Sequence, residues 1–324
     1  MRALLCKEYG AAENLVVEDV PAPVPGKGEI RIGVRACGVN YPDNLIIAGK
    51  YQVQPPLPFS PGFELAGEIL EVGDGVTHLH AGQRVAATSM GGAMAEEICV
   101  PARNAVPIPD SMEFASAAGF VITYGTSYHA LKQRAQLQPG EKLLVLGAGG
   151  GVGLTAVEIG ELMGAEVYAA ASSADKLELA TSRGATHLIN YAEGGLRDQV
   201  RQQNGGKGID VIYDPVGGDL FDDCLRLIDW GGRILIIGFA SGNIQNIPAN
   251  MPLLKGSSIV GVFWGTFAER DPATNLENMQ QLLIWFEAGK LKPCISRTYP
   301  LEDAPLAMQA LLERRASGKL VLTI

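Results

Sequence analysis

The chain has few cysteines, no long apolar run and no excess of positive charge among its 324 residues. Its five cysteines are widely spread without CxxC spacing, which is typical of reduced thiols in the cytoplasm. No apolar stretch reaches the ~18 residues of a membrane helix, and the N-terminal residues lack the layout of a signal peptide. A net charge of −9 without a basic run argues against a nucleic-acid partner. We therefore expect a cytoplasmic protein that binds neither a membrane nor a nucleic acid.

The pattern of strands, helices and turns predicts an α/β protein with two domains. Residues 1–119 hold short strands separated by glycine and proline, which predicts a mostly antiparallel, barrel-like domain. Residues 120–265 alternate strands with helices, which predicts a doubly wound parallel sheet. Its expected strands are residues 143–146, 165–171, 187–190, 209–214, 233–238 and 259–263. Residues 266–324 end in a strand at 319–323, which we expect to rejoin and complete the first domain.

The most informative segment is the glycine-rich turn from Gly147 to Gly153. An apolar strand enters it and an apolar-periodic helix leaves it, and the free N–H groups of such a helix start bind a pyrophosphate. The spacing is a variant of GxGxxG, and a glycine turn without a ligand is the alternative; the strands and helices that follow favour a dinucleotide site. The residues expected at the cofactor are Gly150, Gly151, Val152 and Gly153.

The end of the second strand indicates which dinucleotide binds. An NAD site has an acid there to hold the ribose hydroxyls, whereas this chain has Ala171. Ser172 and Ser173 can donate to a 2′-phosphate, Lys176 adds positive charge, and Tyr191 can donate its hydroxyl. Three of these residues also have a structural interpretation. Ser173 can be the N-cap of a helix, Lys176 can be a solvated helix residue, and Tyr191 can serve only to close a loop.

Two further loops are expected at the cofactor, because ligands of such sheets bind beyond the carboxyl ends of the strands. One follows the fifth strand and the other follows the sixth. The residues they contribute are Gly238, Phe239, Ala240, Phe263 and Trp264.

A set of local motifs carries a resemblance to a known family. They are the segments 36–43 (ACGVNYPD), 61–67 (PGFELAG), 82–85 (GQRV), 117–119 (AAG), 214–218 (DPVGG) and 317–321 (SGKLV). With them the chain resembles, over nearly its whole length, the zinc-free medium-chain dehydrogenases/reductases of the quinone oxidoreductase (zeta-crystallin-like) group. The resemblance implies a GroES-like β-barrel catalytic domain, a Rossmann domain and a cleft between them.

The resemblance also implies the cofactor and some of its contacts. It favours the phosphate interpretation of Ser172, Lys176 and Tyr191, and hence NADPH over NADH. It places Thr126 near the nicotinamide and Asn40 near the ribose or nicotinamide. Lys319 matches a family lysine near the cofactor, with a plain surface lysine as the alternative. Relatives form homodimers through edge strands, and residues 259–263 are the expected edge in this chain.

The zinc ligands of related alcohol dehydrogenases are missing. Such sites need thiolate and imidazole donors, and in the zinc members a cysteine and a histidine stand where this chain has Asn40 and Phe63. His78 and His80 form an HxH in a polar turn with no third ligand in view. We therefore expect an enzyme without a metal.

The expected chemistry is hydride transfer from NADPH to a quinone or another α,β-unsaturated carbonyl compound, in an NADPH:quinone oxidoreductase-like reaction. Asn40, Tyr41 and Tyr51 are the candidate hydrogen-bond or proton donors, with loop anchoring as the alternative for Tyr51. The competing functions are an enoyl-thioester (acyl-CoA) reductase and a nonenzymatic NADPH-binding protein. The thioester function requires a basic entrance, for which Lys255, Arg270, Lys290 and Arg297 are candidates.

Overall fold

The computed structural model describes all 324 residues, and the chain divides into two compact units. Unit 1 is Met1–Ile122 with Met279–Ile324, and unit 2 is Thr123–Asn278. The second boundary lies beyond the expected residue 265 because the following residues pack within unit 2. Phe267 stacks on His129 at 3.9 Å between ring centroids, and Asn278 Oδ1 accepts from Gln133 Nε2 at 3.0 Å.

Strands predominate in the first part of the chain, and strands and helices alternate in unit 2. The first part of unit 1 contains β1 (Arg2–Leu5), β2 (Val16–Asp19), β3 (Glu29–Val39), α1 (Tyr41–Ile47), β4 (Glu64–Val72), β5 (Arg84–Thr88), β6 (Glu97–Pro101), β7 (Ala105–Pro107) and α2 (Phe114–Ala118). Then follow α3 (Val121–His129), β8 (Lys142–Leu146), α4 (Gly151–Leu162), β9 (Glu166–Ala171), α5 (Ala174–Thr181), β10 (His187–Asn190), α6 (Leu196–Gln203), β11 (Ile209–Asp214), α7 (Leu220–Leu227), β12 (Ile228–Ile236), α8 (Asn250–Lys255), β13 (Ser258–Gly261), α9 (Trp264–Arg270) and α10 (Pro272–Glu287). The chain ends with β14 (Ile295–Pro300), α11 (Ala304–Leu312) and β15 (Lys319–Thr323).

Unit 1 is built around a seven-stranded sheet in which β3 is the hub. The order is β14-β15-β3-β4-β5-β7, and β6 also pairs with β3. Alternate residues of β3, such as Ile30, Ile32 and Val34, are buried in the core, as the two-residue period of a strand requires. The terminal strand β15 runs antiparallel to β3 with Leu320 opposite Val39. The end of the chain therefore lies in the same sheet as the strands of the first domain.

Unit 2 is a parallel sheet of six strands in the order β10-β9-β8-β11-β12-β13. Counted from its first strand, this is the 3-2-1-4-5-6 order of the Rossmann fold, so the predicted fold class is confirmed. The strand order reverses between β8 and β11, and ligands of this fold bind at the carboxyl ends of the strands beside that point. β13 is an edge strand.

No helix of the chain combines the length and the apolar character needed to cross a membrane.

Candidate functional site

The glycine turn of unit 2 has the geometry of a phosphate cradle. Gly147 has a φ of +57°, and a Cβ on Gly153 would lie 2.2 Å from the Gly147 carbonyl oxygen. Only glycine therefore lets the first turn of α4 approach the end of β8 so closely. The helix begins at Gly151 with Gly150 as N-cap. The first N–H groups of this 12-residue helix have no partners within the helix and are suited to bind an anion.

A buried hydroxyl network holds that first turn in place. Ser127 Oγ donates to the Val152 carbonyl at 2.9 Å and lies 2.8 Å from Thr155 Oγ1 and 2.9 Å from the Tyr213 hydroxyl. Burial raises the pKa of Tyr213, so its phenol stays neutral. The network ties α4 to α3 and β11, and the partly exposed Thr126 lies next to it on α3. Sequence reasoning missed these hydroxyls, because nothing local marks contacts between distant elements.

The residues expected to select the cofactor gather at the carboxyl end of β9. Ala171 pairs with Asn190, and the Tyr191 N–H donates to the Ala171 carbonyl at 3.2 Å. Lys176 lies against the glycine turn, since a Cβ on Gly149 would be 2.6 Å from Lys176 Cβ. The lysine therefore lies against the glycine turn, and the tyrosine follows the strand that pairs with β9.

The serines after β9 complete this arrangement. Ser172 is exposed and Ser173 is half-buried. Ser173 occupies the N-cap position of α5, yet its side chain makes no capping hydrogen bond. The structural alternative for this hydroxyl is therefore not realised. Two serine hydroxyls thus follow the small Ala171, at the position where an NAD site has an acid.

Two loops at the ends of β12 and β13 hold the remaining predicted cofactor residues. Gly238, Phe239 and Ala240 follow β12, and the Ala240 N–H donates to the Pro215 carbonyl at 3.0 Å. After β13, Phe263 is 61% exposed, whereas Trp264 is only 8% exposed. The Trp264 indole N–H donates to Asn275 Oδ1 on α10 at 3.0 Å. Helix packing therefore holds Trp264, and Phe263 is the ring left accessible to a ligand.

In unit 1, Asn40 lies at the end of β3 within a buried network. Lys319 Nζ is 2.5 Å from both Asn40 Oδ1 and Glu64 Oε1. The Asn40 amide nitrogen donates to Glu64 Oε1 at 3.1 Å and to the Gly38 carbonyl at 3.2 Å. Both amide hydrogens thus have acceptors within the protein. Lys319 is 6% exposed and is not the surface lysine considered as its alternative.

Two buried carboxyl groups fix the surroundings of Asn40. Glu64 Oε2 accepts from the Ile122 N–H at 3.0 Å. Asp43 accepts from the Asn40 N–H at 2.7 Å and from the Gly62 N–H at 3.0 Å, so it holds the start of α1 against the loop before β4. Burial raises the pKa of Asp43 to about 7, although the two N–H donors and the Lys319 charge act in the opposite direction.

Tyr51 is the best placed of the candidate proton donors. Its ring packs edge-on against Phe63, with 5.5 Å between centroids, and its hydroxyl makes no hydrogen bond within the chain. Burial and the nearby Asp43 charge raise the pKa of Tyr51, so the phenol keeps its proton at neutral pH. Tyr41, the first residue of α1, is half-buried.

The residues of unit 1 do not fit a zinc ion. The Asn40 amide is engaged by Lys319 and Glu64, and Phe63 offers no donor atom. Cys37 is fully buried, and burial raises the pKa of its thiol, which disfavours the thiolate that zinc needs. His78 and His80 lie on an exposed turn. No group of three or more His, Cys, Asp or Glu side chains is arranged to hold a metal.

Lys255 and Arg270, the two candidates in unit 2 for the entrance of a thioester handle, do not line the same cavity. The Lys255 ammonium group donates to the Arg226 and Ile228 carbonyls at 2.8 and 2.6 Å, at the C-terminal end of α7. The surface cavity beside it, of about 150 Å³, includes Arg201, Lys207 and Arg226 but not Arg270.

Comparisons with known proteins agree with this architecture. Residues 26–110 match the model of the alcohol dehydrogenase GroES-like domain, and residues 151–281 match that of the zinc-binding dehydrogenases. The chain is 42% identical over 325 residues to the quinone oxidoreductase-like protein 2 homolog of Nematostella vectensis, covering 99% of this chain and 88% of that protein. It is 32% identical to human quinone oxidoreductase, covering 100% and 98% of the two chains.

Solved structures show the same likeness over the full length. The crystal structure of Escherichia coli quinone oxidoreductase complexed with NADPH superposes with a TM-score of 0.94. The two chains are 28% identical, and the match covers 100% of each.

Proposed function

This chain belongs to the quinone oxidoreductase family of the medium-chain dehydrogenases/reductases, and we propose that it reduces a quinone or another α,β-unsaturated carbonyl compound with NADPH and without zinc. The observation that carries the proposal is that Lys176 lies against the glycine turn, while Ser172 and Tyr191 follow the ends of the paired strands β9 and β10. The NADPH in the similar Escherichia coli structure supports the same cofactor in this chain.

The cofactor supplies a hydride from C4 of its nicotinamide, and the chain's residues bind and orient. In unit 2 the start of α4 neutralises the pyrophosphate, while Lys176 and the serine hydroxyls hold the 2′-phosphate. Thr126 and the loops after β12 and β13 line the remainder of the dinucleotide.

Reduction of a quinone to a hydroquinone needs one hydride and one proton. Tyr51 donates a hydrogen bond to the acceptor oxygen on which negative charge develops, and water supplies the proton. An enone takes the hydride at its β-carbon, and Tyr51 then donates a hydrogen bond to its carbonyl oxygen in the same way. Asn40 cannot replace Tyr51 in this role, since its amide hydrogens are already bound.

We also propose a cytoplasmic homodimer that pairs through the edge strand β13. All five cysteines are free, which suits a reducing compartment. Trp230 and Leu253, which flank the edge, are both 78% exposed, and an apolar surface beside an unpaired strand favours association with a second copy.

The proposed function is tested by NADPH consumption of protein treated with a metal chelator, against 1,4-quinones and small enones, with NADH as the control cofactor. NADPH-specific turnover of quinones supports the proposal. Tight NADPH binding without turnover of either substrate class contradicts it and favours an enoyl-thioester substrate or a binding role. Turnover that the chelator abolishes contradicts the zinc-free mechanism.

A further inference from the structure

Asn40, Glu64 and Lys319 form a buried cluster in unit 1, which we call the Asn40 cluster. Glu64 is fully buried, and Lys319 and Asn40 are 6% and 9% exposed. A buried ion pair contributes little net stability, because the loss of hydration offsets the attraction between the charges. The role of such a pair is therefore better explained by the side chain that it holds in one orientation.

The main chain is shaped around this cluster by two glycines. A Cβ on Gly38 would lie 2.3 Å from the Ala118 carbonyl oxygen and 2.6 Å from Glu64 Oε1, and a Cβ on Gly119 would lie 2.8 Å from Lys319 Cγ. A side chain at Gly38 would therefore clash with α2 as well as with the carboxylate, and one at Gly119 would displace the stem of the lysine.

The charges on either side of Asn40 determine how its carboxamide is turned. Its oxygen faces the Lys319 ammonium group, and its nitrogen faces the Glu64 carboxylate and the Gly38 carbonyl. Rotation by 180° would set the NH₂ group against the ammonium and the oxygen against two acceptors. Glu64 cannot follow such a rotation, because its second oxygen accepts from the Ile122 N–H.

We infer that Glu64 and Lys319 are positioning residues that lock the Asn40 carboxamide with its oxygen on the Lys319 ammonium group, so that its NH₂ group cannot donate to a ligand. The amide oxygen accepts from Lys319 and takes part in the capping box with Asp43 at the start of α1, and both hydrogens of the nitrogen have acceptors. The carbonyl oxygen of an acceptor substrate is excluded from Asn40. The lock rests on the geometry of unit 1, and only its effect on turnover rests on the proposed function.

The lock is tested first in the wild-type protein by hydrogen exchange of side-chain amides in a sample labelled with ¹⁵N-asparagine. The Asn40 signal is identified by its loss in Asn40→Asp. We expect it to exchange at least about tenfold more slowly than the exposed Asn250 carboxamide. Equal exchange rates would overturn the inference, whatever the enzyme reduces.

Variants then separate positioning from stability. Lys319→Met leaves Glu64 buried without its counter-ion, so we expect faster Asn40 exchange, a lower melting temperature and a kcat about 100-fold lower. The double variant Lys319→Met/Glu64→Gln carries neither charge, and we expect its melting temperature to recover while kcat and exchange protection stay impaired. A double variant with wild-type kcat and protection would overturn the inference. Lys7→Met, which breaks the exposed ion pair with Glu18, is the matched control. It should change neither the exchange rate of the Asn40 carboxamide nor kcat.

Discussion

Asp43 is a buried carboxyl group whose charge depends on pH within the neutral range. Burial raises its pKa from 3.8 to about 7, and the charged groups facing it are Lys319 and Glu64. Because the folded state holds this proton up to about pH 7 and the unfolded state releases it near pH 4, unfolding releases a proton between these values. The free energy of unfolding therefore falls as pH rises through this window, by at most about 1.4 kcal/mol per pH unit, and levels off above it.

The test is urea denaturation of the wild type and Asp43→Asn at a series of pH values from about 4.5 to about 8, across the window set by the two pKa values. The variant lacks the titrating group, so the difference between the two curves isolates Asp43 from carboxylates such as Glu96 and Glu141, whose pKa values are lowered. We expect the wild type to lose more stability than the variant as pH rises. Parallel curves would show that Asp43 does not titrate in this range.

Lys176 is expected to distinguish the two nicotinamide cofactors. Its place beside the glycine turn suits a contact with the 2′-phosphate, and a charge-assisted hydrogen bond contributes about 1.5–3 kcal/mol. Lys176→Ala should therefore raise the Kd for NADPH by about tenfold or more and leave that for NADH unchanged. Fluorescence titration of the bound nicotinamide measures both constants. Lys207→Ala, an exposed lysine elsewhere in unit 2, is the control, and an equal loss for both cofactors would argue against the 2′-phosphate contact.

At the scale of elements, the turn from β8 to α4 depends on close contact between main-chain atoms. A Cβ on Gly153 would lie 2.2 Å from the Gly147 carbonyl oxygen. Gly153→Ala should thus push α4 away from β8, abolish measurable NADPH binding and destabilise the protein by about 1–3 kcal/mol.

The control for this variant is Gly265→Ala. A Cβ on Gly265, in α9, meets no atom within 4 Å, so this change should leave binding unchanged and stability the same or slightly higher. Titration with NADPH and thermal denaturation give the two readouts. Wild-type affinity in Gly153→Ala would mean that the pyrophosphate does not rely on this turn.

The sequence predicted the parallel sheet of unit 2 closely and unit 1 less well. Strands β10 and β11 and helix α6 have the expected bounds, because buried apolar runs alternate with clear turn residues there. Strand β12, expected to begin at residue 233, begins at Ile228. Helix α1 was not expected: it has only seven residues and begins Tyr-Pro, so periodicity gives it little signal.

The two candidate sites differ in predictability for a related reason. The glycine turn and the residues around Lys176 follow each other along the chain, so a local pattern reveals them. In the Asn40 cluster, Lys319 is 279 positions away from Asn40, and only the register of β15 on β3 brings them together. Neither the ion pair of Glu64 nor the orientation of the Asn40 amide can be derived from local sequence. Trp264 shows the same limit, because its burial depends on Asn275 of the next helix.

At the scale of the whole molecule, the open edge of the parallel sheet predicts the assembly state. Trp230 lies against Gly256, which links α8 to the edge strand β13, and Trp230 and Leu253 are both exposed. If a second copy covers this surface, the wild type should have twice the chain mass of 34.3 kDa in light scattering after gel filtration. Two buried lysines at the centre of an interface are strongly unfavourable, so Trp230→Lys/Leu253→Lys should shift the protein to the monomer. Val24→Lys, at an apolar residue that is 81% exposed in unit 1, should remain dimeric. A monomeric wild type would refute self-association, and a dimeric double variant would place the interface elsewhere.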